Sequence, residues 1–162
     1  MTVDNITGDL QIVIRPMQEA DLDDVVALES IIFKDPWSRQ SFQEVLSESN
    51  WNTIVSLHGT ELVGYACWLK VDIESHLANI AVAESYRRKS VAKRLFDHIL
   101  RDVTEADCEY LLLEVRTSNI SAIAFYKKHG FELMYRRPNY YRYPVEDALV
   151  LVRYLNQDEN EN

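Results

Sequence analysis

The stretch LLLEVRTSNISAIAFYKKHGF, residues 111–131, combines an apolar run, a polar turn and a second apolar segment. The apolar run predicts a buried strand. Side chains alternate along a strand, so Leu111, Leu113 and Val115 should share one face while Glu114 lies on the other. Glu114 could pair with its neighbour Arg116 and be structural. It could also be a carboxylate at the edge of the core, where burial raises its pKa and makes it a better proton acceptor.

A short helix is predicted to begin near Asn119 and to stop at Gly130, because glycine commonly follows the last helical turn. Asn119 and Tyr126 are seven residues apart, about two turns, and therefore lie on one stripe of this helix. A helical tyrosine usually packs in the core or at its rim. It can also donate a proton to a leaving thiolate that lies beside it.

The elements before this stretch predict a strand–helix–strand unit across about 75–116, with strands at 75–83 and 109–115 and an amphipathic helix at 90–103. Such a unit is a right-handed crossover between parallel strands. The hydrophobic spacing of the remaining chain predicts further strands at 11–17, 52–58, 61–70, 131–136 and 146–155, and helices at 19–33 and 38–46. We therefore expect one α/β domain with a mixed sheet, and a polar-aromatic loop at 137–145.

Composition limits the classes of function. The chain has 162 residues and a formal net charge of −9, which argues against broad binding to nucleic acid or acidic membranes and is compatible with a basic partner. Cys67 and Cys108 lack motif spacing and are expected to be buried free thiols. Without a recognisable signal peptide or long apolar run, a reducing cytoplasm is the expected location. The polar ends, 1–9 and 156–162, are expected to be flexible tails.

The segment YRRKSVAKRL, residues 86–95, joins a predicted strand to a helix N-terminus. Free backbone amides, the helix dipole and the three basic side chains of Arg87, Arg88 and Lys89 would make an anion site there, suited to a pyrophosphate. The alternative is a solvated basic helix start. Basic side chains oppose the dipole at this end, so a bound anion would help to explain them.

These segments resemble the Gcn5-related N-acetyltransferase (GNAT) superfamily. YRRKSVA resembles its pyrophosphate-loop motif, and LEVRTSNISAIAFYKKHGF resembles the two elements that follow in the same fold. The bacterial ribosomal-protein-alanine N-acetyltransferases are similar in further short segments, which are PWS (36–38), NIAV (79–82), RRPNYY (136–141) and EDA (146–148). The resemblance covers about residues 11–155 in order.

The resemblance implies a GNAT fold, with a mixed central sheet of six or seven strands, four helices and a splayed pair of parallel strands that binds acetyl-CoA. No metal is implied. By motif, Glu114 would be the general base, Tyr126 the general acid that protonates the CoA thiolate, and Asn119 a cofactor contact. The remaining implied cofactor contacts are the backbone amides of Ile80, Ala81 and Val82, which would bind pantetheine and the acetyl carbonyl, and the pyrophosphate loop Arg88, Lys89, Ser90, Val91, Ala92 and Lys93.

One residue departs from the family pattern. Ser90 occupies the position of a motif glycine, which lets the backbone approach the pyrophosphate and adopt unusual dihedral angles. Serine keeps the amide and adds a hydroxyl donor. The substitution leaves open a non-catalytic CoA-binding or partner-binding module.

The implied acceptor is a protein N-terminal α-amine, specifically the N-terminal alanine of a basic small-subunit ribosomal protein. A lysine side chain or a small amine is the alternative acceptor. Neither direct nucleic-acid binding nor a membrane is implied, and the oligomeric state is left open between a monomer and a weak dimer.

Four residues are candidate acceptor contacts: Trp37, Glu74, Tyr140 and Tyr141. Trp37 could equally anchor the first helix pair. Glu74 and nearby His76 could touch the acceptor amine or could simply be solvated. The segment that contains both tyrosines, 135–144, mixes bases with aromatics and could bind RNA, but net acidity favours a loop over the acceptor peptide.

Overall fold

The computed structural model describes residues 10–155, so the tails expected at 1–9 and 156–162 lie outside the described part. Within residues 10–155, seven strands form one mixed sheet in the order β1-β2-β3-β4-β5-β7-β6. The strands are β1 (Ile12–Pro16), β2 (Trp51–His58), β3 (Glu61–Val71), β4 (Glu74–Val82), β5 (Tyr110–Arg116), β6 (Glu132–Arg142) and β7 (Val145–Tyr154). All neighbouring strands are antiparallel except β4 and β5, which are parallel as predicted.

Four α-helices complete the described part of the chain: α1 (Leu22–Ile32), α2 (Arg39–Ser47), α3 (Val91–Glu105) and α4 (Ile120–Lys128). The Ser38 hydroxyl accepts a hydrogen bond from the Ser41 amide and thereby caps the N-terminus of α2. Gly130 has φ +87° just after α4, where a left-handed residue ends a helix without steric cost. None of these helices is long and apolar enough to cross a membrane.

The two faces of the sheet carry separate cores. Helices α3 and α4 cover one face, where Leu95 and Phe96 pack with Leu111 and Leu113. Helices α1 and α2 cover the other face, which the core around Tyr65 occupies. Burial of these apolar side chains provides most of the stabilisation of such a layered fold. The two buried cysteines, Cys67 and Cys108, are free thiols, as predicted.

Strand β6 is longer than the sequence suggested. We predicted a strand at 131–136 and a polar-aromatic loop at 137–145, but β6 continues to Arg142 and pairs Tyr141 with Glu146 of β7. The register is irregular between Arg137 and Tyr141, where Asn139 has φ +52°. Because β6 is an edge strand, it accommodates Pro138 and this irregularity without breaking the pairing.

The parallel strands β4 and β5 separate part of the way along. They pair only where Glu74–His76 meet Tyr110–Leu112. Beyond that point β4 stays with β3 through Val82, while β5 stays with β7 through Arg116. The resulting cleft has an unpaired strand edge on each side, and it lies between the two halves of the sheet.

Candidate active site

The β4 wall of the cleft presents backbone amides. The Ala83 amide donates to the Val63 carbonyl at 2.8 Å, so it points toward β3. Successive backbone groups alternate in direction along a strand, so the amides of Ile80 and Val82 point into the cleft, and that of Ala81 points toward β3. Backbone hydrogen bonds to an extended group in the cleft therefore fall to Ile80 and Val82.

The loop between β4 and α3 is held in an unusual conformation. Arg88 and Ser90 have φ +60° and φ +63°, in the left-handed region that favours glycine. The Ser90 side chain makes no capping bond to α3. The first helical donor is the Arg94 amide, which bonds to the Ser90 carbonyl at 3.0 Å.

The amides of residues 91–93 precede this first donor and are the unsatisfied groups at the start of α3. Basic side chains surround them: Lys89 lies 5.5 Å from the ring centre of Tyr86, and Lys93 forms an ion pair with Asp97 at 2.8 Å. Free amides, the positive end of a helix and cationic side chains suit a pyrophosphate group. The loop therefore fits the CoA pyrophosphate that the sequence predicted here.

Ser90→Gly should leave acetyl-CoA affinity equal or make it a few-fold tighter, because glycine adopts φ +63° without the cost of about 1–2 kcal/mol that a side chain incurs. Calorimetric titration with acetyl-CoA measures this. Ser90→Ala is the matched control, since it removes the hydroxyl but retains the strained conformation. Clearly weaker binding by both variants would show instead that the serine hydroxyl binds the cofactor.

Glu114 lies where β5 leaves β4. Leu111, Leu113 and Val115 are buried against α3 and α4, so the predicted alternation is confirmed and Glu114 points to the opposite face. One carboxylate oxygen of Glu114, Oε2, lies 2.5 Å from Nε2 of His76. The Glu114 side chain is 16% exposed and that of His76 is 34% exposed, so solvent reaches the pair mainly from the histidine side.

The alternative that Glu114 pairs with Arg116 is wrong. Arg116 pairs instead with Glu146 at 3.2 Å and lies over the ring of Tyr141, 4.2 Å from its centre. The expectation that His76 is merely solvated is also wrong, because His76 is the partner of Glu114. Parallel pairing of β4 with β5 brings these two side chains together from residues that are 38 positions apart.

The pKa of Glu114 is lowered rather than raised. Burial is the largest single effect and raises the pKa of this carboxyl, as the sequence suggested, but the lowering effects together outweigh it, and the largest of them is the hydrogen bond from His76. The positive charge of Arg137, on β6, lowers the pKa further. Glu114 is therefore a carboxylate at neutral pH, and a weaker base than an isolated buried carboxyl would be.

Tyr126 lies across the sheet from Glu114. Its ring is 7% exposed and packs against Phe125 and Phe131, with ring centres 5.5 and 5.4 Å away, in the α3–α4 core. Glu114 and Tyr126 therefore flank β5 from opposite faces of the sheet. Burial raises the pKa of the Tyr126 phenol, and the nearby Tyr141 raises it further. Tyr126 thus keeps its proton at neutral pH.

Asn119 is the N-cap of α4. Its side-chain oxygen accepts a hydrogen bond from the Ala122 amide at 3.3 Å, which satisfies one of the free donors at the helix start. The predicted helix boundary at Asn119 is therefore right within one residue. This capping bond uses the side-chain oxygen, so the amide NH₂ group is the part of Asn119 that is available to a ligand.

Two tyrosines and an arginine from β6 lie near enough to Glu114 for their electrostatics to be coupled to its charge. The rings of Tyr140 and Tyr141 are perpendicular, with centres 5.1 Å apart, and Arg137 lies 5.4 Å from the Tyr140 ring centre. Burial raises the pKa of Tyr141 to about 12, and the charge of Glu114 contributes. Both tyrosines were predicted as acceptor contacts, whereas Arg137 was not, although it belongs to the RRPNYY segment that carries the resemblance.

The other candidate acceptor contacts lie further out. Glu74 is exposed and accepts a hydrogen bond from the Tyr110 hydroxyl, one rung beyond the His76 pair. Trp37 packs against Phe42 and Trp51, with ring centres 5.3 and 6.2 Å away. These contacts favour the alternative in which Trp37 anchors the loop between α1 and α2.

A buried carboxylate beneath that loop was not anticipated. Glu29 of α1 is 1% exposed and accepts hydrogen bonds from the Trp37 amide at 3.0 Å, the Asn79 side chain at 2.9 Å and the Tyr65 hydroxyl. Three donors compensate for the cost of burying the charge. Glu29 therefore ties the α1–α2 loop to strand β4, next to Ile80. A glutamate among apolar helical residues was the available signal.

A splayed parallel strand pair, with a basic loop and helix N-terminus at one end, defines the GNAT acetyltransferases. The Acetyltransferase (GNAT) family profile matches residues 22–131. The chain belongs to this family and is an acetyl-CoA-dependent N-acetyltransferase. Acetyl-CoA, when bound, supplies an activated acetyl thioester. The cleft between β4 and β5 and the basic loop before α3 are the parts of the structure that fit it.

The chain is similar in sequence to N-acetyltransferases that are named for their acceptors or for the position they acetylate. The chain is 31% identical over 142 residues to the ribosomal protein bS18-alanine N-acetyltransferase of Escherichia coli K12, covering 85% of this chain and 94% of that protein. It is 30% identical over 155 residues to the N-alpha-acetyltransferase RimI of Mycobacterium tuberculosis, covering 91% and 96%.

Solved structures show the same fold. The crystal structure of the ribosomal-protein-S18-alanine N-acetyltransferase from Escherichia coli has a TM-score of 0.83 at 27% identity, covering 94% of this chain and 99% of that one. Arabidopsis thaliana NAA60 in complex with acetyl-CoA has a TM-score of 0.82 at 20% identity, covering 90% and 99%, and shares the fold.

Proposed function

We propose that this chain, as one acetyltransferase domain over 1–162, acetylates a protein N-terminal α-amine, and that the acceptor is the N-terminal alanine of a small-subunit ribosomal protein. The observation that carries the proposal is the Glu114–His76 pair at the fork of β4 and β5. A base at this fork would lie between an acceptor amine that arrives from the α1–α2 face and a thioester in the cleft, which supports the proposal. The similarity to the Escherichia coli enzyme named for ribosomal protein bS18 supports this acceptor.

The residues divide the chemistry between the two faces of the sheet. On the α1–α2 face, Glu114 takes part in removing a proton from the acceptor amine, directly or through a water molecule. In the cleft, the amides of Ile80 and Val82 hold the pantetheine arm and stabilise negative charge on the acetyl oxygen. On the α3–α4 face, Tyr126 donates a proton to the leaving sulfur. Transfer is direct, without an acetylated enzyme.

The remaining cofactor contacts follow from the loop and the helix starts. Ala81 is not among the hydrogen-bonding contacts, because its amide points toward β3 and away from the cleft. The Asn119 amide group contacts the cofactor at the start of α4. The pyrophosphate is held by Arg88, Lys89, Ser90, Val91, Ala92 and Lys93.

Electrostatics supports an α-amine acceptor on a basic protein. An α-amine has a pKa near ~7.7–8, whereas a lysine amine has a pKa near ~10.4, so a weak base suffices only for the α-amine. The lowered pKa of Glu114 makes this distinction sharper. The net charge of −9 attracts a basic chain such as a ribosomal protein, which would be met in the cytoplasm.

Two peptides test the acceptor. One begins with a free alanine followed by basic and aromatic residues; its twin has a blocked N-terminus and an internal lysine. After incubation with the protein and acetyl-CoA, fragment-ion mass spectrometry locates any acetyl group. We expect acetylation of the alanine amine alone.

Other outcomes would contradict specific parts of the proposal. An acetyl group on lysine would retain the chemistry but overturn the acceptor. No transfer to either peptide, with acetyl-CoA binding confirmed by calorimetry, would contradict the proposed acceptor class and favour a small amine or a non-catalytic module.

A further inference from the structure

His76 and Glu114 are joined in a way that fixes the proton on the imidazole. The two atoms in contact are Nε2 of His76 and Oε2 of Glu114, 2.5 Å apart. A carboxylate only accepts hydrogen bonds, and the carboxylate form of Glu114 is the stable one at neutral pH. The hydrogen therefore resides on Nε2 of His76, which donates it to Glu114.

The other ring nitrogen of His76 is then left as the basic atom. In a neutral imidazole one nitrogen donates and the other accepts, so Nδ1 carries the lone pair. Within residues 10–155, no side chain or backbone group hydrogen-bonds to Nδ1. With about one-third of its side chain exposed, His76 is reachable by a water molecule or by an acceptor amine.

The surrounding charges favour this arrangement. Glu114 is the negative group in contact with His76, and from β6 the positive Arg137 and the neutral phenols of Tyr140 and Tyr141 surround Glu114. A second carboxylate near His76 is that of Glu74, two residues away on β4, and it accepts a hydrogen bond from the Tyr110 hydroxyl. A carboxylate that orients an imidazole and stabilises its cation is the arrangement used by hydrolytic triads.

We propose that Nδ1 of His76 accepts the proton of the acceptor amine, directly or through one water molecule. Glu114 fixes the tautomer of His76 and stabilises the imidazolium. This inference rests on the proposed function and changes the part that Glu114 plays in it. Glu114 orients the base, and His76 holds the proton.

Protons balance over one turnover. His76 takes one proton from the acceptor nitrogen as that nitrogen bonds to the acetyl carbon and the carbon–sulfur bond breaks. Tyr126 gives one proton to the sulfur. His76 then loses its proton to solvent and Tyr126 regains one from solvent, so an amine and a thioester become an amide and a thiol with no change in the protein.

The pH dependence of His76→Gln tests the proposal. Glutamine keeps a neutral donor near the position of Nε2 but cannot take up a proton. A base that takes up a proton adds its own decline in kcat/KM toward acidic pH to the decline caused by the acceptor amine, and glutamine removes that contribution. The acidic side of the kcat/KM profile should therefore be less steep in His76→Gln than in the wild type, with a rate at pH 7 at least about tenfold lower. The matched control is His98→Gln on α3.

A second variant separates chemistry from structure. In His76→Ala, added imidazole should restore part of the rate, whereas it should not restore Glu114→Gln, because only the first variant has an empty site for the base. Circular dichroism confirms folding, and calorimetry should show unchanged acetyl-CoA affinity. A His76→Gln profile parallel to that of the wild type, or no rescue by imidazole, would overturn the inference.

Nitrogen NMR of the wild-type imidazole provides a test that needs no variant activity. The expected spectrum has a protonated Nε2 and an unprotonated Nδ1 in the neutral form, with His76→Gln used to assign the signals. A neutral form protonated at Nδ1 contradicts the proposal even if the protein is an active acetyltransferase. Failure of the peptide acetylation described above would instead contradict the proposed function.

Discussion

Glu114→Gln is expected to lower kcat by about a hundredfold or more, which corresponds to about 2.7 kcal/mol of transition-state free energy. Glutamine has nearly the same shape and its side-chain oxygen can still accept the hydrogen bond from His76. It carries no negative charge, so it neither accepts a proton nor stabilises a protonated His76. Acetyl-CoA affinity should change less than about twofold, because the carboxylate lies on the acceptor face of the sheet.

Steady-state release of CoA thiol measures the rate, and calorimetry measures the affinity. Glu132→Gln is the matched control: it makes the same chemical change at an exposed position at the start of β6. It should leave both quantities unchanged. If Glu114→Gln retains wild-type turnover, neither Glu114 nor its pair with His76 takes part in the transfer.

Local sequence rules predicted much of this site. Alternation placed Glu114 opposite Leu111 and Leu113 of β5, and Gly130 ended α4. These features depend on a few neighbouring residues. The crossover from β4 to β5 could also be predicted, because a helix between two strands imposes a parallel pair.

The partner of Glu114 could not be found by such rules. The register between β3 and β4 shifts next to Cys67, which faces Asn79, while the following residue, Trp68, faces Leu77. Ala78 is an extra residue on β4 at this bulge, so the side chains of the β4 residues before it point to the faces opposite those that strict alternation from Asn79 predicts. His76 therefore points to the same side as Asn79, whereas strict alternation would separate them.

Edge effects explain the length of β6. The prolines, asparagine and arginines in 137–145 predict a loop, and an edge strand tolerates all of them because one side of its backbone faces solvent. Pairing with β7 brings Arg137, Tyr140 and Tyr141 up to Glu114. An unpaired loop of the same sequence would not fix the positions of the Arg137 guanidinium and the two tyrosine rings.

Tyr126→Phe is expected to lower kcat by about a hundredfold while leaving the shape of the pH profile unchanged. The ring already packs between Phe125 and Phe131, and within residues 10–155 the hydroxyl has no hydrogen-bond partner, so phenylalanine should fit with little loss of stability. The substitution removes the phenolic hydroxyl, which is the group that donates a proton to the leaving sulfur. Because burial raises the pKa of this phenol, Tyr126 stays protonated through the neutral and mildly alkaline range and adds no limb to the profile there.

A matched change separates this effect from a general loss of hydroxyl groups. Tyr154→Phe alters an exposed tyrosine at the end of β7 and should leave kcat unchanged. A double variant tests the arrangement of the two groups across the sheet. If Tyr126 acts on the sulfur from one face and the Glu114–His76 pair acts on the amine from the other, the Tyr126→Phe, Glu114→Gln double variant should be slower than either single variant. Wild-type turnover in Tyr126→Phe would mean that solvent protonates the thiolate, and that Tyr126 serves the core alone.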